Sequence, residues 1–204
     1  MTIILLGITI IISLIGFSNE MFQRKLIFNA YLIHHHKEWW RILSSGFIHA
    51  DFMHLLFNMF VLYGFGQAVE SYYNAIFGNN GGADFLILYL GAIVIANAPS
   101  LVKYKDATFY NSLGASGGVA AILFAAILFD PWSKIYLFGI IGIPGIILGP
   151  LYLFYEYRSA LKANDHINHD AHFYGALFGM VFTIILNPRI VLHFVDQLIN
   201  NFPL

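Results

Sequence analysis

Apolar residues in this chain run in long stretches broken by single charged positions, and the intervals between charges have the length of membrane-crossing helices. Such a helix needs about 20 mostly apolar residues, within a range of roughly 17–25. Six intervals qualify: 1–19 before Glu20, 52–69 between Asp51 and Glu70, 85–102 between Asp84 and Lys103, 107–129 between Asp106 and Asp130, 135–155 between Lys134 and Glu156, and 171–188 between Asp170 and Arg189. The pattern predicts an all-α, polytopic membrane protein with one domain over 1–204. The spans take up roughly 120 residues and leave no room for a soluble domain. The first lacks the basic start and small-residue cleavage site of a signal peptide, so it is expected to be retained. Residues 20–50 mix apolar, aromatic and charged positions, which suits short helices in the interface. Residues 190–199 are too short to cross and are expected to form a surface helix.

Composition supports this reading. Only 10% of the residues are charged, against roughly 25% in an ordinary soluble domain. Hydrophobic residues make up 59% and mean hydropathy is +0.71, more apolar surface than one water-soluble core could hide. The formal net charge of -1 provides no basic field for nucleic acid, so the lipid bilayer is the expected environment. The absence of cysteine removes disulfides, thiolate-bound zinc and thiol nucleophiles. Eight of the ten Lys and Arg residues fall in the loops near 17–50, 101–112 and 156–170, which the positive-inside rule alone would put in the cytoplasm.

Polar groups at membrane depth are costly and therefore point to function. In the second span His54 and Asn58 lie four apart on one helix face, with His49 at the entrance. In the fourth, Ser116 sits in the run Gly114-Ala115-Ser116-Gly117-Gly118. In the sixth, His169 and His172 come near the start, and Gly175 and Gly179 follow His172 on the same face. Packing alone accommodates each motif: a small serine between helices, interhelical hydrogen bonds from His54 and Asn58, a glycine face for close contact. The glycine face also serves chemistry, because it lets His172 reach a short side chain such as Ser116. Together the parts are those of acyl transfer: a hydroxyl nucleophile, an imidazole base, and free N–H groups with a favourable dipole at a helix start. No carboxylate partner for His172 is evident, since Asp170 lies about 200° around the helix from it. The residues therefore read as a Ser-His dyad.

The ordered set resembles the rhomboid intramembrane serine proteases: Trp40-Arg41, then His49, His54 and Asn58, then the G-x-S-G at Gly114 to Gly117, then His172, Gly175 and Gly179, one set per expected helix. Glu70 also matches that pattern, and the resemblance covers essentially the whole chain. It implies a six-transmembrane-helix rhomboid-like bundle in which Ser116 is the nucleophile and His172 the general base. His54, Asn58 and the Ser116 backbone N–H would stabilise the oxyanion. Trp40, Arg41 and His49 would shape the first loop, with Gly114, Gly117, Gly175 and Gly179 as structural support. The implied activity is cleavage of transmembrane segments of other membrane proteins, without metal or cofactor, in a bacterial plasma membrane. The family topology places both ends of the core in the cytoplasm, against the loop charges. It takes precedence here because many of those charges sit in an interfacial loop.

Several further expectations follow. The aromatic residue that the family often has four positions after the serine is here Ala120, with Phe124 or Phe173 as a replacement. The fifth span holds Gly139, Gly142, Pro144, Gly145, Gly149 and Pro150, an irregularity that serves either packing or tilting to admit substrate between the second and fifth spans. Substrates would carry Gly, Ala or other helix-weakening residues near the membrane surface. Two rival readings stand beside the protease: a non-catalytic rhomboid-like protein that binds transmembrane helices, and a metal transporter or metalloprotease using histidines such as His34-His35-His36, His49, His54, His166, His169 and His172. Against the latter, H-E-x-x-H is absent and no intramembrane carboxylate accompanies the histidines.

Overall fold

A computed structural model describes residues 1–137, 140–162 and 167–202. In chain order the helices are α1 (Thr2–Ser18), α2 (Glu20–Leu26), α3 (Ala30–His36), α4 (Arg41–Ser44), α5 (Phe52–Phe77), α6 (Gly81–Lys103), α7 (Ser116–Phe129), α8 (Gly145–Lys162), α9 (His169–Leu186) and α10 (Arg189–Asn200). A hairpin of β1 (Lys134–Leu137) and β2 (Ile141–Pro144) precedes α8, so the chain is mostly helical but not wholly so. Short polar side chains start α2, α3, α5 and α9 by taking up N–H groups that have no partner within the helix. Asp51 accepts from the His54 N–H at 2.8 Å to begin α5, and Asn168 accepts from the Ala171 N–H at 3.1 Å to begin α9. Among the described residues, Phe52–Lys103 and His169–Leu186 are long and apolar enough to cross a membrane, while Thr2–Ser18 and Ser116–Phe129 are apolar but shorter.

Charged positions coincide with helix ends at Asp51, Lys103 and Asp130 but not at every boundary. Of the interval 107–129, only the part from Ser116 is helical. Before it the backbone is occupied elsewhere: the Phe28 N–H donates to the Ser112 carbonyl at 2.9 Å and the Ser112 N–H returns the bond at 3.1 Å. The start of the interval 135–155 is the hairpin, where Tyr136 pairs with Gly142 and Ile135 with Ile143; tyrosine and isoleucine suit strands. The helix that follows runs from Gly145 to Lys162 and passes through Glu156, and α5 likewise passes through Glu70. Gly139 and His166 lie outside the described residues.

The bundle is built around α7, which is buried from Gly117 to Phe129 with the exception of Leu123 and packs against α5, α6, α8 and α9. Its approach to α9 is the tightest. A Cβ on Gly175 would fall on the Gly117 carbonyl oxygen, and one on Gly179 on that of Ala121, so two glycines four residues apart let the backbones touch. The outer faces are apolar: Ile4 and Ile11 on α1, Phe57 and Phe60 on α5, Leu151 and Phe154 on α8, and Val181 and Ile185 on α9 are all exposed. That exterior suits hydrocarbon rather than water.

The turn into α7 is held by a fully buried histidine. His49 Nε2 accepts from the Ala115 N–H at 3.3 Å, which puts its own proton on Nδ1, 2.9 Å from Ser13 Oγ on α1. The Ser13 hydroxyl in turn donates to the Phe47 carbonyl at 3.1 Å. This chain requires a neutral imidazole. Burial first, and the nearby His54 second, push His49 down to about 3 against the opposing pull of Asp51.

Two outcomes follow from this packing. Gly179→Leu, which drives a side chain into the α7 backbone, lowers stability by about 1–3 kcal/mol or more, read as a fall in melting temperature in detergent; an unchanged midpoint would show that the helices do not touch there. For His49 the unfolded chain takes up a proton below the ordinary value of 6.5, whereas the folded chain does so only near 3. Stability therefore falls as pH drops below 6.5, by at most about 1.4 kcal/mol per pH unit from this group. Between pH 7 and pH 4.5 the wild-type melting temperature drops further than that of His49→Gln, and equal drops would exclude His49 as the source.

Candidate functional site

A cavity of about 480 Å³ opens at the end of the bundle where α5, α7 and α9 begin. His54 enters it from α5, Asn97 from α6, Ser116 from α7 and His172 from α9. Ser116 and His172 face this shared space, and among the described residues no hydrogen bond joins them directly.

Each of these side chains is set by its own segment. Gly114 has φ +122°, a backbone conformation open to glycine, and a Cβ there would lie 2.7 Å from His54 Cε1. Glycine is thus required both for the turn into α7 and for the seat of the His54 ring, which also meets His49 edge-on with 4.9 Å between ring centroids. Helical bonding in α7 starts with the Val119 N–H donating to the Ala115 carbonyl. The N–H groups of Ser116, Gly117 and Gly118 consequently have no acceptor inside their helix. Across the cavity, Asn168 caps α9 one turn before His172, and its amide donates to Ser112 Oγ at 3.1 Å and to Ser100 Oγ at 3.3 Å. The cap that places the histidine is therefore bonded to the loop that leads to the serine.

The remaining residues singled out in the sequence fall at different distances from the cavity. Asn58 is buried one turn below His54, where its amide donates to the His54 carbonyl at 2.9 Å, and it does not line the cavity. Arg41 is buried in the first loop: its guanidinium donates to the Arg24 carbonyl at 2.8 Å, to the Ile27 carbonyl at 2.9 Å and to Glu38 at 2.5 Å. Trp40 is exposed, with its indole N–H 3.4 Å from the Lys25 carbonyl. Glu70 accepts from the Thr2 N–H at 2.8 Å and ties α5 to α1. Gly117 packs on Ala96 of α6, where a Cβ would come within 2.6 Å. The run His34 to His36 is exposed at the end of α3, with His35 3.1 Å from Asp106.

Two groups on α8 were missed. Glu156 is 3% exposed and lies between two imidazoles, with Oε1 3.1 Å from His172 Nδ1 and Oε2 2.5 Å from His169 Nδ1. This corrects both expectations that no carboxylate accompanies His172 or the other histidines. The charge pattern makes Glu156 the end of a span, but the helix starts ten residues later than the interval suggests and carries it inward. The second group is Tyr152, whose ring lies nearly parallel to that of His172 at 6.5 Å between centroids and contacts Phe124 at 5.8 Å. The space left by Ala120 is thus filled from α8, neither by Phe124 nor by Phe173, which meets Tyr157 instead. Glu156, His169 and His172 bring ligand-type atoms within 4.8 Å of one another.

Residues 36–189 match the family model described as the Rhomboid domain. The chain is similar to a chloroplastic rhomboid-like protein 11 of Arabidopsis thaliana, 31% identical over 186 residues that cover 83% of this chain and 60% of that protein. It is also similar to the putative rhomboid protease YdcA of Bacillus subtilis, 32% identical over 148 residues, or 72% of this chain and 67% of YdcA. A mitochondrial presenilin-associated rhomboid-like protein A of Danio rerio is 34% identical over 153 residues, 68% of this chain and 35% of the relative. The chain thus spans between about a third and two thirds of the length of these relatives. Chloroplastic and mitochondrial forms stand among them, so they do not support the bacterial plasma membrane that was expected. The matched segment runs from α3 to the start of α10 and encloses His54, Ser116, Glu156 and His172, and on that match the chain belongs to the rhomboid family and is a membrane protein.

Proposed function

We propose that this protein is an intramembrane serine endopeptidase that cleaves transmembrane segments of other membrane proteins with Ser116 and His172. The observation that carries the reading is the convergence of Ser116, His172 and His54 on one cavity beside the unpaired N–H groups that begin α7. Ser116 Oγ attacks the scissile carbonyl carbon while its proton passes to His172, which then protonates the leaving amine. The N–H groups of Ser116 and Gly117, with His54, receive the developing oxyanion. Asn58 acts one turn deeper by steadying the turn that carries His54. In a substrate-free site the serine–histidine contact is commonly open and tightens on binding.

In the proposed membrane arrangement α1, α5, α6, α7, α8 and α9 cross the bilayer as a six-helix bundle. With 14 residues, α7 is about 21 Å long against a hydrocarbon thickness of about 30 Å. Ser116 then lies below the membrane surface, and the non-helical loop before it is tolerated there because it lines a cavity and is internally bonded. Hydrolysis needs water, which this cavity admits from one face. A substrate segment with Gly or Ala exposes its peptide bonds more easily than a stable helix and fits that geometry.

A fluorophosphonate probe and a labelled transmembrane reporter test the reading together. Wild-type protein in detergent is labelled and cuts the reporter. Ser116→Ala and His172→Ala lose labelling and lose turnover by about 10³-fold or more. Equal labelling and cleavage in all three proteins would overturn the protease and leave a rhomboid fold that binds helices without cutting them.

A further inference from the structure

A dyad leaves the second nitrogen of the base without a role, and in this protein that nitrogen has a partner. His172 Nδ1 lies 3.1 Å from Glu156 Oε1, a carboxylate carried by α8 and buried to 3% exposure. With Nδ1 engaged on that side, Nε2 is the nitrogen left for the cavity that Ser116 lines. The other carboxylate oxygen is taken by His169 Nδ1 at 2.5 Å, so the two imidazoles fix the rotation of the carboxylate and aim Oε1 at His172. One turn earlier on the same helix, the Tyr152 ring runs nearly parallel to that of His172 at 6.5 Å between centroids. Thus α8 holds the ring at its edge and brings an aromatic group near it.

We propose that Glu156 is a positioning residue for His172, making the site a carboxylate–imidazole–hydroxyl triad; this rests on the protease reading above. The neutral imidazole carries its proton on Nδ1 and donates it to Glu156, which leaves the Nε2 lone pair to accept the Ser116 proton as the Oγ–carbon bond forms. The imidazolium then delivers the Nε2 proton to the leaving nitrogen as the carbon–nitrogen bond breaks. A water molecule repeats the sequence to release the acyl group, and Glu156 stays ionised throughout. A buried carboxylate needs compensation, and the two imidazole N–H groups supply it. Among the described residues, the other ionisable groups around His172 are Tyr152 from α8, His169 on α9 and His54 from α5, while α6 and α7 bring Asn97 and Ser116 to the cavity.

A metal ion held by the same three residues is the competing use of this cluster. A zinc ion between a carboxylate oxygen and an imidazole nitrogen, bound at about 2.0–2.2 Å to each in tetrahedral geometry, would hold them about 3.3 Å apart. The Glu156–His169 separation of 2.5 Å is that of a direct hydrogen bond.

The test compares kcat and KM of wild type, Ser116→Ala, Glu156→Gln and Glu156→Asp on the transmembrane reporter, with melting temperatures measured in parallel. With Glu156→Gln, kcat falls about 10²–10⁴-fold while KM stays within about threefold. Glu156→Asp recovers part of kcat with KM unchanged, and it carries the comparison if the glutamine variant does not fold. The proposal is overturned if Glu156→Gln keeps the wild-type kcat, or if kcat falls only in step with melting temperature and Glu156→Asp recovers none of it. It is also overturned if a chelator abolishes wild-type activity and zinc restores it. Equal cleavage by wild type and Ser116→Ala would instead sink the protease reading itself, whatever the Glu156 variants do.

Discussion

Everything at this site depends on how closely α7 and α9 approach. Helices surrounded by lipid gain little from hiding apolar side chains from one another, so close packing and internal hydrogen bonds must hold them together. Gly175 rests on the Gly117 carbonyl and Gly179 on that of Ala121, which leaves room for hydrogen atoms alone. Ser116 is the neighbour of Gly117, and His172 lies one turn before Gly175. The backbone contact therefore sets the separation between the two groups that would have to exchange a proton, and a methyl group at either glycine would push them apart.

Around that contact, three distant segments pin the turn that delivers Ser116. His49 holds Ala115 from the first loop, Phe28 bonds Ser112, and Asn168 reaches Ser112 from the cap of α9. Most polar groups near the turn are therefore satisfied by protein, as a low-dielectric setting demands. The first N–H groups of α7 have no acceptor in their own helix, and Ser116 and Gly117, which carry two of them, line the cavity.

Ser116, His54 and His172 were legible in the sequence because each is a polar group inside an apolar run, and Gly175 with Gly179 because their spacing keeps one face of a helix. The same criterion failed at Glu156, where a charge was read as the end of a span although its helix carries it into the protein between two histidines. Apolar composition alone could not distinguish the hairpin at 134–144 from helix, since period and length decide that and the run is uncharged from Ile135 onward. Nor could it locate the start of α7, because residues 107–115 are held out of the helix by partners dozens of positions away. Asn58 does share a face with His54, but a full turn of about 5.4 Å deeper, so its amide meets a backbone carbonyl and not the cavity. The ring that compensates for Ala120 came from another helix, a contact that no local spacing encodes.

The irregular glycine and proline content of the fifth span invited the idea of a helix that swings aside to admit substrate. The structure attaches a condition to that idea. Glu156 and Tyr152 both ride on α8, whose principal contacts are with α9, and Gly149 brings it against Phe124 and Ile127 of α7. If α8 moved outward as a rigid rod, the carboxylate and the ring would leave His172 together, and admission of substrate would dismantle the base. Motion near the Gly145 end would leave the Glu156 end seated, because the two lie about 16 Å apart along the helix. Pro150 stands between them, at a point where a helix bends without loss of a bond it never made. The placement of proline before Tyr152 and Glu156 therefore favours bending over wholesale displacement as the form any opening takes.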